Sequence, residues 1–186
     1  MMKFFVASAV LALLFVSHCA AQSADPPLAI DGQFADWDSR PVLYTDPPGD
    51  AGASGIDLRT LRIDGDAQWV YISFETAADL LIQQDNTLKL CLDTDLSEST
   101  GTKFGGIGAE LVWDFAKREG EVRLGSSTTS VQHPAVGYIP APSMTSSRFE
   151  IAFRRDAEVA GRKLFPSGRI RVVLYAEEAG GDRLPN

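Results

Sequence analysis

Acidic residues at alternate positions in a turn are the clearest chemical signal in the chain. Asp93-Thr94-Asp95-Leu96-Ser97-Glu98-Ser99-Thr100-Gly101 follows directly on an apolar strand pattern and offers hard oxygens at short intervals. Ca²⁺ takes about six to eight such oxygens. The loop is not an EF-hand, because Glu98 stands where that motif needs Gly and Phe104 where it needs the terminal Glu. A side chain from elsewhere must complete the shell, and Glu110 is the candidate. The expected metal set is therefore Asp93, Asp95 and Glu110, holding Ca²⁺ as a structural ion. The alternative is that Asp93 and Asp95 only hydrogen-bond the amides of their own turn. A second acidic stretch, Asp46-Pro47-Pro48-Gly49-Asp50, leads through a Gly/Ala/Ser loop to Asp57.

Aromatic side chains are the other candidates. Trp69 and Tyr71 share one face of an alternating run whose other face is Val70, Ile72 and Phe74. If the aliphatic face is core, the two aromatics point outward. There they either form a flat platform for sugar rings or a neighbouring domain, or lie under a covering loop. Trp37 sits one helical turn beyond Phe34 in Ile30-Asp31-Gly32-Gln33-Phe34-Ala35-Asp36-Trp37. It is read either as a plug at one end of the fold or as a further stacking surface. Trp69, Tyr71 and Trp37 are the candidate ligand-binding residues.

Catalytic chemistry finds little support. His133 is the one histidine after the first two dozen residues, no Ser lies in a nucleophile elbow, and no His pair has zinc spacing. Cys91 has Lys89 nearby but no base, which suits a structural thiol. Gly105-Gly106-Ile107-Gly108 lacks the Lys and the following helix of a phosphate loop, so its glycines point to close backbone approach. The expectation is a protein that is not an enzyme.

These residues must be held by strands. Alternation with period two runs through 58–63, 69–75, 87–92, 109–115, 149–153 and 170–174, each bounded by Gly, Asp, Ser or Pro. Helical spacing is nowhere sustained, and 126–147 reads as a long loop or a ragged edge strand. Six or more strands with one apolar face each bury those faces against one another. The predicted fold is all-β, an antiparallel β-sandwich.

Residues 1–21 read as a signal peptide: Lys3, an apolar run from Phe4 to Val16, and small residues before the cut after Ala21. This predicts a secreted or periplasmic protein, with a lipoprotein anchored at Cys19 as the alternative. The sandwich domain is expected over 22–179, with 180–186 a tail or the start of a linker. The formal charge of -8 disfavours direct contact with nucleic acid, and no apolar run is long enough for a transmembrane segment.

Together, Asp31-Gly32…Trp37, Asp57 opening a strand, Val70-Tyr71-Ile72-x-Phe74-Glu75, Leu92-Asp93-Thr94-Asp95…Thr100-Gly101 and Gly105–Phe115 resemble the family 9-like carbohydrate-binding modules and related DOMON-like sandwiches. The central segment is similar to a bacterial subgroup often placed ahead of endonuclease/exonuclease/phosphatase-type domains. The resemblance covers most of residues 28–180. It implies a jelly-roll-like sandwich, often calcium-stabilised, with aromatics that clamp sugars; some DOMON-type relatives hold haem through Met and His, here Met144 and His133. Two functions follow as expectations: a non-catalytic carbohydrate-binding module, or an accessory domain packed on a neighbouring phosphodiesterase-like hydrolase domain.

Overall fold

Alternating side chains become two stacked antiparallel sheets. The computed structural model describes residues 28–52, 55–84, 86–140, 144–178 and 180–186; the expected signal segment and Cys19 lie outside them. In chain order the strands are β1 Tyr44–Thr45, β2 Leu58–Gly65, β3 Trp69–Leu80, β4 Leu88–Asp93, β5 Thr102–Phe104, β6 Ile107–Ala109 and β7 Leu111–Asp114. They continue with β8 Glu119–Leu124, β9 Ser127–Gln132, β10 Ser146–Arg154, β11 Glu158–Val159, β12 Arg162–Lys163, β13 Arg171–Ala176 and β14 Arg183–Leu184. A 3₁₀ turn, Ala35–Trp37, precedes β1, and one helical turn, α1 His133–Val136, follows β9.

One sheet has the order β1-β2-β3-β10, and the other β14-β13-β4-β7-β8-β9. Register explains the core. Val70, Ile72 and Phe74 pair with Phe153, Ile151 and Phe149 on β10, and Ile72 and Phe74 pair with Ile63 and Leu61 on β2, so one apolar row crosses the four-stranded sheet. Leu90 and Leu92 lie between Leu174 and Val172 on one side and Trp113 and Leu111 on the other. The two rows meet in a single cluster, with ring contacts Phe74–Phe115 at 5.6 Å and Trp113–Phe153 at 5.9 Å between centroids. This is the predicted all-β antiparallel sandwich.

The outer faces are covered too, by different means. The segment Leu28–Trp37 lies over Tyr71 and Ala152 of the four-stranded sheet. The β5–β6 hairpin lies over Cys91 and Val173 of the six-stranded sheet, with Phe104 stacked on Tyr175 at 4.0 Å. Within 126–147, of the two readings loop and edge strand, the edge strand is found as β9. The β8–β9 hairpin had no apolar alternation strong enough to announce it. The last residues carry a strand: β14 pairs with β13, and Leu184 is buried.

Candidate functional site

β4 and β7 are neighbours with Leu92 opposite Leu111, so one step further along the register Asp93 and Glu110 emerge side by side. The turn after β4 then folds Asp95 back over them. Carboxylate oxygens of Asp93, Asp95 and Glu110 lie within 4.8 Å of one another. Glycine permits this closure, because a Cβ on Gly108 would stand 2.3 Å from the carbonyl oxygens of Ser97 and Thr100.

The hydrogen-bonded reading of the turn is realised, and the three carboxylates also lie close together. The Ser97 amide donates to Asp93 Oδ1 at 3.2 Å and to Asp95 Oδ1 at 3.0 Å, and the Thr100 hydroxyl donates to Asp95. The Thr94 amide donates to Glu110 Oε2 at 2.8 Å. That leaves Glu110 Oε1 and Asp93 Oδ2 buried without a hydrogen-bond donor among the described residues. Asp93 is 0% exposed and Glu110 2% exposed, and the neighbouring cation is Arg171, half exposed and 3.5 Å from Asp93 Oδ2. Burial pushes the Glu110 carboxyl above its usual range and Asp95 and Asp93 add to it, with the Thr94 amide and Thr100 hydroxyl offsetting part. Buried carboxylate oxygens lacking donors are costly unless a cation meets them. The donor set is all hard oxygen, which fits Ca²⁺.

The aromatic candidates separate. Trp37 is fully buried, its indole N–H donating to Glu150 Oε2 at 2.9 Å, so it is no stacking surface. Tyr71 is buried beneath the same N-terminal segment, and its hydroxyl donates to Asp66 at 3.0 Å. Both corrections have one cause. Glu150, also fully buried, accepts the amides of Asp31 and Gly32 at 2.7 and 2.5 Å and thereby pins Leu28–Trp37 across the sheet. The turn thus seals an outer face rather than an end. Trp69 alone stays half-exposed. It lines an open groove of about 380 Å³ with Ala67, Gln68, Arg154 and Asp156. Arg154 faces Trp69 across the β3–β10 register and pairs with Asp156 through both arms of its guanidinium.

The remaining reactive groups serve packing. The Cys91 thiol is buried and pushed up to about 12, Lys89 opposing only weakly. His133 lies against Trp113 and Tyr138, at 5.4 and 4.8 Å between ring centroids, while Met144 is exposed. Residues that sequence reading did not single out are Glu150, Gln68, Arg154 and Asp156, because charged side chains beside turns carry no pattern until register is known. No helix among the described residues is long and apolar enough to cross a membrane.

No family model, no curated protein and no solved structure matches the chain. Geometry and chemistry therefore carry the functional reading.

Proposed function

We propose that this protein is a non-catalytic, extracytoplasmic carbohydrate-binding module whose acidic turn at Asp93, Asp95 and Glu110 holds a structural Ca²⁺. The observation that carries the sugar reading is the Trp69 groove. A half-exposed indole there lies beside an amide, a guanidinium and a carboxylate. A pyranose ring presents apolar C–H groups on one face and hydroxyls around its rim. The indole suits the first, and Gln68, Arg154 and Asp156 suit the second. The groove is open rather than enclosed, so the fitting ligand is a chain or branch end of a polysaccharide, held weakly at each site. The resemblance to family 9-like modules supports the same reading.

Calcium would act as a brace. It would meet Glu110 Oε1 and Asp93 Oδ2, lock the turn after β4 onto the strands, and leave the Trp69 groove untouched. Fluorescence titration tests the sugar claim cleanly. The chain has three tryptophans, and Trp37 and Trp113 are buried, so a bound ring changes the emission of Trp69. A panel of soluble oligosaccharides should produce a saturable shift that Trp69→Ala abolishes while melting temperature is kept. A panel that moves neither emission nor isothermal titration heats overturns it.

A further inference from the structure

Separate from the turn after β4, four more carboxylates converge. Asp46, Asp50, Asp57 and Asp182 each offer an oxygen, all within 4.8 Å of one another. They come from three places in the chain. Asp46 follows β1, its amide held by the Arg59 carbonyl at 2.9 Å. Asp57 immediately precedes β2, and its Oδ2 accepts the Gly49 amide at 2.8 Å. Asp182 precedes β14, its backbone carbonyl accepting the Ala176 amide at 2.9 Å and its Oδ2 the Leu58 amide at 2.9 Å. Close backbone approach holds the segments together, since a Cβ on Gly55 would stand 2.6 Å from the Gly180 carbonyl oxygen.

Among the described residues the group is short of positive partners. Asp46 is only 4% exposed; its Oδ1 accepts the Asn186 side-chain amide, and its Oδ2 is buried with no hydrogen-bond donor. Asp57 Oδ1 is buried in the same condition. The neighbouring cation is Arg59, 3.9 Å from Asp57 Oδ2. Two buried, donor-free oxygens in a nest of four carboxylates amount to an anionic cage, and burial of that kind is stable when a cation occupies it.

We infer that Asp46, Asp50, Asp57 and Asp182 form a second Ca²⁺ site that staples the two sheets together at one edge. Asp46 and Asp57 flank strands of the four-stranded sheet, and Asp182 leads into the edge strand of the six-stranded sheet. Asn186 reaches Asp46 and also lies 3.4 Å from Asp50. Turning its terminal amide by a half rotation offers Oδ1 as a further ligand, the orientation in the absence of an ion being set by its acceptors. Hard, mostly anionic oxygens from flexible turns match Ca²⁺ better than Mg²⁺, which demands a small, near-octahedral shell. The consequence is structural coupling: β14 holds its place on β13 more tightly when the ion is bound.

The test separates the two sites. Calcium is titrated calorimetrically into wild type, Asp93→Asn/Glu110→Gln and Asp46→Asn/Asp50→Asn, each stripped of metal, at concentrations reaching roughly millimolar. Wild type should bind about two ions and each double variant about one. In Asp93→Asn/Glu110→Gln, calcium should slow hydrogen exchange at the Arg183 and Leu184 amides. A folded Asp93→Asn/Glu110→Gln protein that takes up no calcium overturns the second site. Should that variant fail to fold, Asp46→Asn/Asp50→Asn decides: binding as many ions as wild type overturns the proposal, and losing one supports it. If wild type binds a single ion that Asp46→Asn/Asp50→Asn loses, the second site stands and the Asp93 site falls.

Discussion

Glu150 and Glu110 are both buried glutamates on the outer faces of their sheets, yet their surroundings differ in one decisive respect. Glu150 has every oxygen met by a protein donor: two backbone amides and an indole N–H. Glu110 has one oxygen met by Thr94 and the other by no donor among the described residues. Burial raises the carboxyl of both above its ordinary range. Depth alone therefore does not mark a ligand site; the supply of donors does. Glu150 is a fastener that the protein completes by itself, and Glu110 keeps a free oxygen that the proposed cation would meet.

The comparison can be broken most forcefully at the fastener. Trp37→Ala removes a fully buried indole and should cost about 3–5 kcal/mol in denaturant unfolding. Glu150→Ala strands the buried Trp37 indole N–H and two part-buried amides and should cost about 2–4 kcal/mol, the same with and without calcium. A loss that calcium reverses would contradict the role given to Glu150. At the other glutamate the order is inverted. In Asp46→Asn/Asp50→Asn, which keeps only the Glu110 site, chelation should destabilise the protein by about 2–3 kcal/mol relative to calcium at about a hundredfold excess over its dissociation constant, read as a fall in melting temperature. Glu110→Gln in the absence of metal should be at least as stable as metal-free wild type, because it relieves repulsion from Asp93 and Asp95.

Acidity sharpens the same contrast. Asp46 is pushed up to about 6 by burial first and then by Asp182 and Asp50, and Glu110 and Glu150 are raised in the same direction. A carboxyl whose folded pKa is raised binds more protons folded than unfolded. Its stabilising contribution is complete below the unfolded value and is lost as pH climbs through the folded one. Asp66 acts oppositely: the amides of Gln68 and Trp69 and the Tyr71 hydroxyl outweigh burial and lower it. Asp66 titrates below this window, whereas His133, lowered by burial and then by Arg118, opposes within it; with three raised carboxyls against that one imidazole, metal-free protein should melt higher at about pH 5.5 than at about pH 7.5. Saturating calcium should reverse the slope, since protons then compete with the ion. The smallest effect is expected at Trp69→Ala, under about 1 kcal/mol for a half-exposed side chain, with sugar binding lost.

Much of this was legible in the chain. Val70, Ile72 and Phe74 announced their sheet because strict alternation needs no tertiary knowledge, and Asp93, Asp95 and Glu110 were grouped from ligand chemistry alone. Trp37 and Tyr71 were legible only halfway. Their parity placed Tyr71 off the inner face, but the cover over it depends on Glu150, more than a hundred residues from Asp31. Asp182 escaped for the same reason: its partners are distant in sequence, and Gly180-Gly181 resembles a linker until the β13–β14 pairing is seen.

The most direct measurement is an amide correlation spectrum of the metal-free protein, recorded as calcium is added. The Thr94 and Ser97 amides, which donate to Glu110 and to Asp93 and Asp95, should shift and saturate. The Gly32 amide and the Trp37 indole N–H, both held by Glu150, should stay where they are. Signals from Thr94 and Ser97 that ignore calcium would contradict the distinction between the two glutamates.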